Sequence, residues 1–266
     1  MTGLAAARPK PSAARQWWVL TMRAIAPTVR NGELLVAISL SGIFTVCLYF
    51  PLKGIMGTVV HVNYAQFVMP VIALQAVQFS AMSAAIRSST DALEGINVRF
   101  GSMPIQALTP LAARMSAAVY RCGTAMVTAI LFGYLIGFRF YRGPACILGF
   151  CVLVLFIGIT LSFVADLLGI VLKNPQALVH ILLLPLLILG ILSAGLQPVE
   201  QFPEWLQPFV RDQFNSQFVY VLRAYAGDAA NSEPQPSWSI VGPSLLWLAG
   251  IIAVTVPAYI LALRRR

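Results

Sequence analysis

Charged side chains are scarce in this sequence. Only 10% of its 266 residues are Asp, Glu, Lys or Arg, whereas 59% are hydrophobic. Soluble domains carry about 25% charged residues, so this composition excludes an ordinary soluble domain. It predicts an integral membrane protein.

Metal-binding side chains are also few. The two histidines, His61 and His180, lie far apart and lack the acidic neighbour of an HExxH pattern. The four cysteines show no CxxC spacing. They stand within or beside apolar stretches, as Cys47, Cys122, Cys146 and Cys151. We therefore predict no metal site and interpret the cysteines as packing residues.

The chain lacks a phosphate-binding loop of the Walker A type. Such a loop ends in Lys followed by Ser or Thr, whereas the lysines here precede Pro11, Gly54 and Asn174. We therefore predict that the chain binds no ATP in that way and carries no cofactor of its own.

Ionisable residues at mid-membrane depth, on which secondary transporters commonly depend, are rare as well. Asp166 is the single acid near the centre of an apolar stretch. If its helix starts near Gly143, Asp166 lies about 34 Å along it, at the cytosolic interface. We interpret Asp166 as an interfacial acid paired with Lys173 or capped by solvent, and a proton relay is less favoured. Active transport then requires energy from a separate subunit.

Long charge-free stretches dominate the rest of the chain. Each is near or above the ~20 residues that a spanning helix needs. They cover residues 34–52, 54–86, 122–138, 143–165, 174–199 and 234–263. The third is short, so its helix is expected to begin near Ala112. The sequence predicts an all-α membrane domain over 32–266 with six transmembrane helices.

The basic residues predict the orientation, because short cytoplasmic loops carry the excess of Lys and Arg. With both termini in the cytoplasm, 13 of the 18 basic residues lie inside. The five outside are Lys53, Arg139, Arg142, Arg211 and Arg223. Topology and anionic inner-leaflet lipid account for the net charge of +9, so no nucleic-acid partner is expected.

The N-terminal region divides into a tail over 1–14, predicted to be disordered, and an amphipathic helix over 15–31. Trp18, Met22, Ile25 and Val29 form one helical stripe flanked by arginines. No apolar core with a cleavage site follows the first basic residues, so we do not expect a signal peptide. The helix is expected along the inner interface, either as an anchor or as a link to a cytosolic partner.

A segment between the fifth and sixth stretches is too polar to cross a bilayer and too apolar for a free loop. Pro198, Pro203 and Pro208 break a continuous helix. Apolar residues nevertheless recur at helical spacing, at Phe202, Trp205, Leu206, Phe209 and Val210. This pattern predicts a re-entrant helical hairpin over about 195–225, bordering a pathway on the outer side.

Arg223 ends this hairpin. Two readings stay open: it pairs with a nearby acid, or it is solvated or bound to a lipid head group. The candidate acids are Glu200, Glu204, Asp212 and Asp228.

The loop from Ser88 to Arg114 is the one internal cytosolic segment of useful size. Its pattern predicts a short helix over about 90–101, with Asp91 as its N-terminal cap and Gly101 at its end. Leu93, Ile96 and Phe100 would form an apolar ridge beside Glu94 and Arg99, suited to a partner's groove. An ordinary interfacial loop explains this spacing nearly as well.

Two segments, in this order, resemble parts of ABC type-2 permeases. EGINVRFGSMP resembles their coupling helix, and SAGLQPVEQFPEWLQPF followed by LRAYAGD resembles their exit hairpin. RQWWVLTMRAIAP, STDALEGINVRFGSMPIQALTPLAAR, LSFVADLLGIVLKNP and SQFVYVLRAYAGD are similar to the mycobacterial daunorubicin/DIM-transport permeases of DrrB type. This similarity covers nearly the whole chain.

The resemblance implies a six-helix, non-catalytic permease of the bacterial plasma membrane that exports hydrophobic drugs or complex cell-envelope lipids. It implies an ATPase subunit of DrrA type that holds ATP and Mg, and a second permease of DrrC type or a second copy of this chain. The residues that match the coupling segment are Asp91, Glu94, Gly95, Arg99 and Pro104. The residues that match the hairpin are Gly195, Pro198, Pro203, Trp205, Leu206 and Arg223.

Two positions depart from the family pattern. Many relatives have an acid where this chain has Leu93, and many have a proline near Phe214. The alternatives to an ATP-driven permease are an ATP-independent secondary lipid transporter, an intramembrane lipid-modifying enzyme and a non-transporting scaffold.

Overall fold

The computed structural model describes residues 12–30, 32–56, 63–96, 99, 106, 108–229 and 234–264. This part of the chain is helical and contains no β-strand. Its α-helices are α1 Ala13–Arg30, α2 Glu33–Met56, α3 Tyr64–Leu93, α4 Thr109–Leu135, α5 Pro144–Leu172, α6 Pro175–Ile191, α7 Gln207–Asp212, α8 Phe214–Ala226 and α9 Trp238–Arg264. A 3₁₀ turn, Val199–Gln201, precedes α7.

Five helices, α2, α3, α4, α5 and α9, are long and apolar enough to cross a membrane. The fifth predicted stretch, 174–199, corresponds to the 17-residue apolar helix α6, which ends at Ile191. At 1.5 Å per residue α6 is about 25 Å long, at the lower limit for a span.

The starts of α1 and α3 differ from the predicted boundaries. The predicted stretch 54–86 starts too early, because α2 continues to Met56 and α3 begins at Tyr64. The start of α3 is set by Asn63, whose side-chain oxygen accepts a hydrogen bond from the Ala65 amide at 3.1 Å. The first helix also starts at Ala13, within the tail predicted as disordered; residues 1–11 of that tail lie outside the described part.

The central helix of the bundle is α3. Every residue from Tyr64 to Gln78 is buried, including the polar residues Gln66 and Gln75. Helices α2, α4, α5, α6 and α8 all pack against it. The first half of α3 is therefore buried on all faces and forms the centre of the fold.

Helix α5 lies very close to α3 because it carries glycine at the contact points. A Cβ atom on Gly158 would lie 2.2 Å from a methyl carbon of Val77. A Cβ atom on Gly169 would lie 2.4 Å from the backbone oxygen of Ala85. Small residues of this kind let two membrane helices approach along their length.

Helix α1 lies along α4, where Trp17 Nε1 donates a 3.1 Å hydrogen bond to Ser116 Oγ. Thr21 and Thr28 are the buried residues of α1. Trp18, Met22 and Val29 of the predicted stripe are exposed. The apolar stripe therefore points away from the bundle, as expected of a helix that lies on a membrane surface.

Candidate functional site

The predicted coupling segment begins inside α3. This helix continues through Asp91 to Leu93, and the Glu94 amide still donates to the Thr90 carbonyl at 2.9 Å. Asp91 therefore lies in the last turn of α3, and the prediction that it caps a separate helix is wrong. The break comes at Gly95, whose φ of 66° is left-handed, a conformation that glycine adopts without steric cost.

The predicted ridge is only partly within the described residues. Leu93 is 59% exposed, and Ile96 is half-buried. The rim residues Glu94 and Arg99 are both exposed. Phe100 and Pro104 lie outside the described residues, so their predicted roles remain predictions.

A buried ionic network connects the end of α3 with α4 and α5. Arg114 Nη1 lies 3.4 Å from both carboxylate oxygens of Asp166. Arg114 Nε lies 4.0 Å from Asp91 Oδ2. Ser88 Oγ donates to the Asp166 backbone oxygen at 2.9 Å. One guanidinium therefore connects the residue next to the predicted coupling segment with a carboxylate of α5.

The last helix joins the same network. The hydroxyl of Tyr259 in α9 donates a 2.8 Å hydrogen bond to Asp166 Oδ2. Asp166 is only 2% exposed, so its predicted pairing with Lys173 or solvent is wrong. Sequence reasoning missed Tyr259, one of the few polar side chains in the largely apolar helix α9. It is 93 residues from Asp166 in sequence and gives no local signal.

The predicted hairpin consists of short elements. After α6, Pro198 precedes the 3₁₀ turn and Pro203 accepts a bond from the Leu206 amide at 2.8 Å. Gln213 is extended, with φ −64° and ψ 150°, and separates α7 from α8. Trp205 is 79% exposed and Leu206 is half-buried.

Polar side chains join the tip of this hairpin to α3. Gln78 Nε2 donates a 2.6 Å hydrogen bond to Asn215 Oδ1, and both residues are buried. Gln213 donates to the Leu192 carbonyl, and the Ala194 amide donates to Ser216 Oγ at 3.0 Å. Hydrogen bonds therefore join the tip of the hairpin to the segment that directly follows α6 and to the central helix.

These contacts also fix the direction of α8. Gln66 near the start of α3 donates to the Gly227 carbonyl at 2.5 Å, whereas Gln78 contacts Asn215. Gln66 and Gln78 are twelve residues apart in α3, and Asn215 and Gly227 are also twelve residues apart. Twelve residues of helix are about 18 Å long. Helix α8 therefore runs antiparallel along the first half of α3, and the hairpin tip lies beside the middle of α3.

Arg223 holds the hairpin from inside. It is 6% exposed, which rules out the solvated arginine considered above. Its Nε donates to the Phe67 carbonyl at 3.1 Å and its Nη2 to the Gly195 carbonyl at 2.9 Å. The guanidinium also lies 3.4 Å from the centre of the Phe67 ring. Among the candidate acids, Asp212 bonds Arg211 at 2.8 Å, which lowers the pKa of the Asp212 carboxyl.

Gly195 is required at this contact for steric reasons. A Cβ atom there would lie 2.5 Å from a methyl carbon of Val71 in α3. Arg223 and Gly195, both predicted from the family pattern, therefore meet in one place, where the hairpin begins against the central helix.

Comparisons with known proteins show the family to which the chain belongs. No family model matches the chain. It is 45% identical over 262 residues to the doxorubicin resistance ABC transporter permease protein DrrB of Mycobacterium tuberculosis, covering 96% of this chain and 91% of that protein.

More distant relatives belong to the same class. The daunorubicin resistance ABC transporter permease protein DrrB1 of Streptomyces coeruleorubidus is 28% identical, over 73% of this chain and 67% of that protein. The probable doxorubicin resistance permease DrrC of Mycobacterium tuberculosis is 25% identical, over 86% of this chain and 80% of that protein. The chain therefore belongs to the ABC transporter permeases of DrrB type.

Proposed function

We propose that this chain is the permease subunit of an ATP-driven exporter of hydrophobic drugs or complex cell-envelope lipids. The observation that carries the proposal is the 45% identity to a DrrB permease across 96% of the chain. The relatives are named for resistance to doxorubicin and daunorubicin, which are amphiphilic aromatic compounds. A cargo of that kind suits a permease whose spanning helices are largely uncharged.

In this proposal six helices span the bacterial plasma membrane, with α6 as the fifth span and both termini in the cytoplasm. The short α6 reaches the level at which the hairpin tip meets α3, and the segment after Leu192 completes the crossing. The hairpin is re-entrant, since α8 runs beside only the first half of α3. Irregular backbone at that depth is tolerated because Gln213 donates to the Leu192 carbonyl and Ser216 accepts from the Ala194 amide. Gln78 donates to the buried side chain of Asn215.

The chain itself performs no chemistry. ATP and Mg bind a separate ATPase of DrrA type, which contacts the segment after Leu93. The Arg114 network supports a route for the movement: a shift at the end of α3 reaches Asp166 of α5 and, through it, Tyr259 of α9. A contiguous set of bonded groups can bias two arrangements of the bundle.

At the opposite end the hairpin acts as the gate. It is held shut where Arg223 joins the carbonyls of Gly195 and Phe67 and where Gln78 bonds Asn215. A second permease, of DrrC type or a second copy of this chain, completes the pathway, because one six-span chain supplies half of it.

The test is ATP-dependent uptake of doxorubicin by inside-out membrane vesicles that contain this chain, its ATPase and its second permease. We expect uptake to require ATP and all three proteins, and to disappear when the Walker A lysine of the ATPase is replaced. Uptake by this chain alone, unaffected by ATP, would contradict the proposal and favour a secondary transporter.

A further inference from the structure

A pocket of about 530 Å³ opens between α1, α3 and α4, at the end of the bundle where α3 gives way to the proposed coupling segment. Four arginines from these three helices line it: Arg23, Arg87, Arg114 and Arg121. Neither the family resemblance nor the proposed export route assigns a ligand to this pocket.

The pocket carries a net positive charge. Its three acids are Asp91, Glu94 and Asp166, against four arginines, so the formal charge of the lining is +1. Two of the acids are held in the wall itself, because Arg114 contacts both Asp91 and Asp166 and Tyr259 also donates to Asp166. Glu94, the third, is exposed at the rim. The lining therefore favours an anion.

Arginine reaches far into this pocket. Arg121 is 8% exposed and lies seven residues after Arg114, about 10 Å deeper along the spanning helix α4. A guanidinium at that depth is rare and commonly marks an ion or ligand site. Guanidinium groups match the oxygens of a phosphate by paired, charge-assisted hydrogen bonds.

Apolar side chains stand beside the arginines in the lining of the pocket. Arg23 shares the α1 wall with Leu20, Ala24 and Pro27. Arg87 Nη2, from α3, donates a 3.4 Å hydrogen bond to Thr28 Oγ1 of α1. A ligand with a phosphate head and acyl chains fits this lining, because its head can meet the guanidinium groups while its chains contact the apolar side chains.

We propose that this pocket binds the phosphate of an anionic phospholipid of the cytoplasmic leaflet and thereby joins α1 to α3 and α4. The placement at that leaflet rests on the membrane orientation given under the proposed function. Basic pockets between membrane helices on the cytoplasmic side are suited to such head groups.

The test uses the purified full-length chain and measures retained lipid by native mass spectrometry. The chain is equilibrated with an equimolar mixture of phosphatidylglycerol and phosphatidylcholine. We expect selective retention of phosphatidylglycerol, and a loss of about a hundredfold or more in its apparent affinity when Arg87 and Arg121 are both replaced by Gln, since each replacement removes a hydrogen bond to a charged group. Arg30→Gln, which removes an exposed charge of α1 outside the pocket lining, is the matched control and should retain the lipid.

Two further arms make the result decisive. If the double variant fails to fold, Arg87→Gln and Arg23→Gln are measured singly. In the second arm, phosphatidylglycerol vesicles must raise the unfolding temperature of the unaltered chain above its value in phosphatidylcholine vesicles. Equal retention of both lipids, or unchanged retention in the folded variants, overturns the proposal. Displacement of the lipid by inorganic phosphate or glycerol phosphate at matched concentration also overturns it, because the ligand would then be a soluble phosphate.

Lipid binding is measured without the ATPase or a cargo. Selective binding without any ATP-dependent uptake would therefore refute the export function and leave the lipid site standing. The reverse result would refute the lipid site alone.

Discussion

Arg114 connects the end of α3, next to the proposed coupling segment, with α5. Its side chain lies between a carboxylate at the end of α3 and a buried carboxylate of α5. Removing one partner of a buried charge pair leaves the other charge uncompensated, which is far more costly than the net value of the pair. Asp91, Arg114 and Asp166 therefore act as a unit. A small change beside this unit tests the proposed route of movement better than removal of Arg114 itself.

Tyr259→Phe is such a small change, because it removes one hydroxyl and keeps the ring that stacks on Phe163. We expect a lower unfolding temperature, corresponding to about 1 to 3 kcal/mol, because a 2.8 Å bond to a buried carboxylate is lost. We also expect less export for each ATP hydrolysed. Thermal unfolding of the purified chain and paired export and ATPase assays measure both effects. Tyr141→Phe, at a half-exposed tyrosine, is the control; equal behaviour of the two variants would show that the Asp166 bond contributes nothing.

Arg223 tests the attachment of the hairpin. Arg223→Lys keeps the positive charge, but an ammonium cannot reproduce the planar fork that reaches two carbonyls and stacks on Phe67. We expect impaired export and faster proteolysis of the hairpin, with a loss of about 2 kcal/mol from the unsatisfied buried groups. Arg211→Lys, at an exposed arginine paired with Asp212, should change neither measurement. Wild-type behaviour of Arg223→Lys would mean that charge alone is required at this position.

At the scale of elements, the contact of α3 with α5 depends on glycine. Gly169→Ala places a Cβ against the backbone oxygen of Ala85, which cannot move aside without shifting a helix. We expect a destabilisation of about 1 to 3 kcal/mol from overpacking, seen as a lower unfolding temperature. Gly123→Ala in α4 is the matched substitution, since nothing lies within 4 Å of its added Cβ. It should be neutral or slightly stabilising, because alanine favours helix. Equal destabilisation of the two variants would exclude close packing as the cause.

The helices were predicted well from the sequence where charged residues or prolines mark their ends. Hydropathy identified the apolar stretches of five helices, and prolines located the irregular segment before α7. Hydropathy did not locate the boundary between α2 and α3. No charged residue lies between Gly54 and Asn63, and the start of α3 depends on the Asn63 cap. The end of α3 was also missed, since the helical spacing of Asp91 and Leu93 fits α3 as well as it fits a separate helix.

The partners of the buried charges could not be predicted, for a different reason. Arg114, Asp166 and Tyr259 come from three helices that are distant in sequence. Arg223 was predicted either to pair with an acid or to be solvated or bound to a lipid head group, and neither reading anticipated its hydrogen bonds to the backbone carbonyls of Phe67 and Gly195, which sequence patterns do not reveal. Such contacts depend on how the helices pack, and periodicity within one helix does not determine that.

At the scale of the whole molecule, one helix joins the proposed gate to the proposed coupling segment. Arg223 and Asn215 of the hairpin contact the first half of α3, at Phe67 and Gln78, and the proposed coupling segment follows the last turn of this helix. If the ATPase binds the segment after Leu93 as proposed, it acts on the helix against which the hairpin packs. Movement of a central, fully packed helix can change both ends together, because packed cores shift between discrete arrangements.

This connection requires the ATPase to grip the coupling segment, and the ridge of Leu93, Ile96 and Phe100 is where we predict that it does so. Leu93 is 59% exposed, so it is available to a partner. Replacing all three residues with Ser should weaken association with the ATPase by about 2 kcal/mol or more, because apolar anchors carry most of the energy of such interfaces. Arg99→Ala at the exposed rim should change mainly the association rate and its salt dependence.

A pull-down with the cognate ATPase, together with export measurements, tests the ridge. Leu108→Ser is the matched control, because this leucine is 68% exposed at the same end of the bundle, just before α4, and lies outside the ridge. We expect the control to bind the ATPase and export normally, while the triple variant inserts into the membrane but loses both properties. If the triple variant still binds the ATPase and exports at the wild-type rate, the segment is an ordinary interfacial turn. The ATPase must then engage another surface, and α3 is not the element that connects it to the gate.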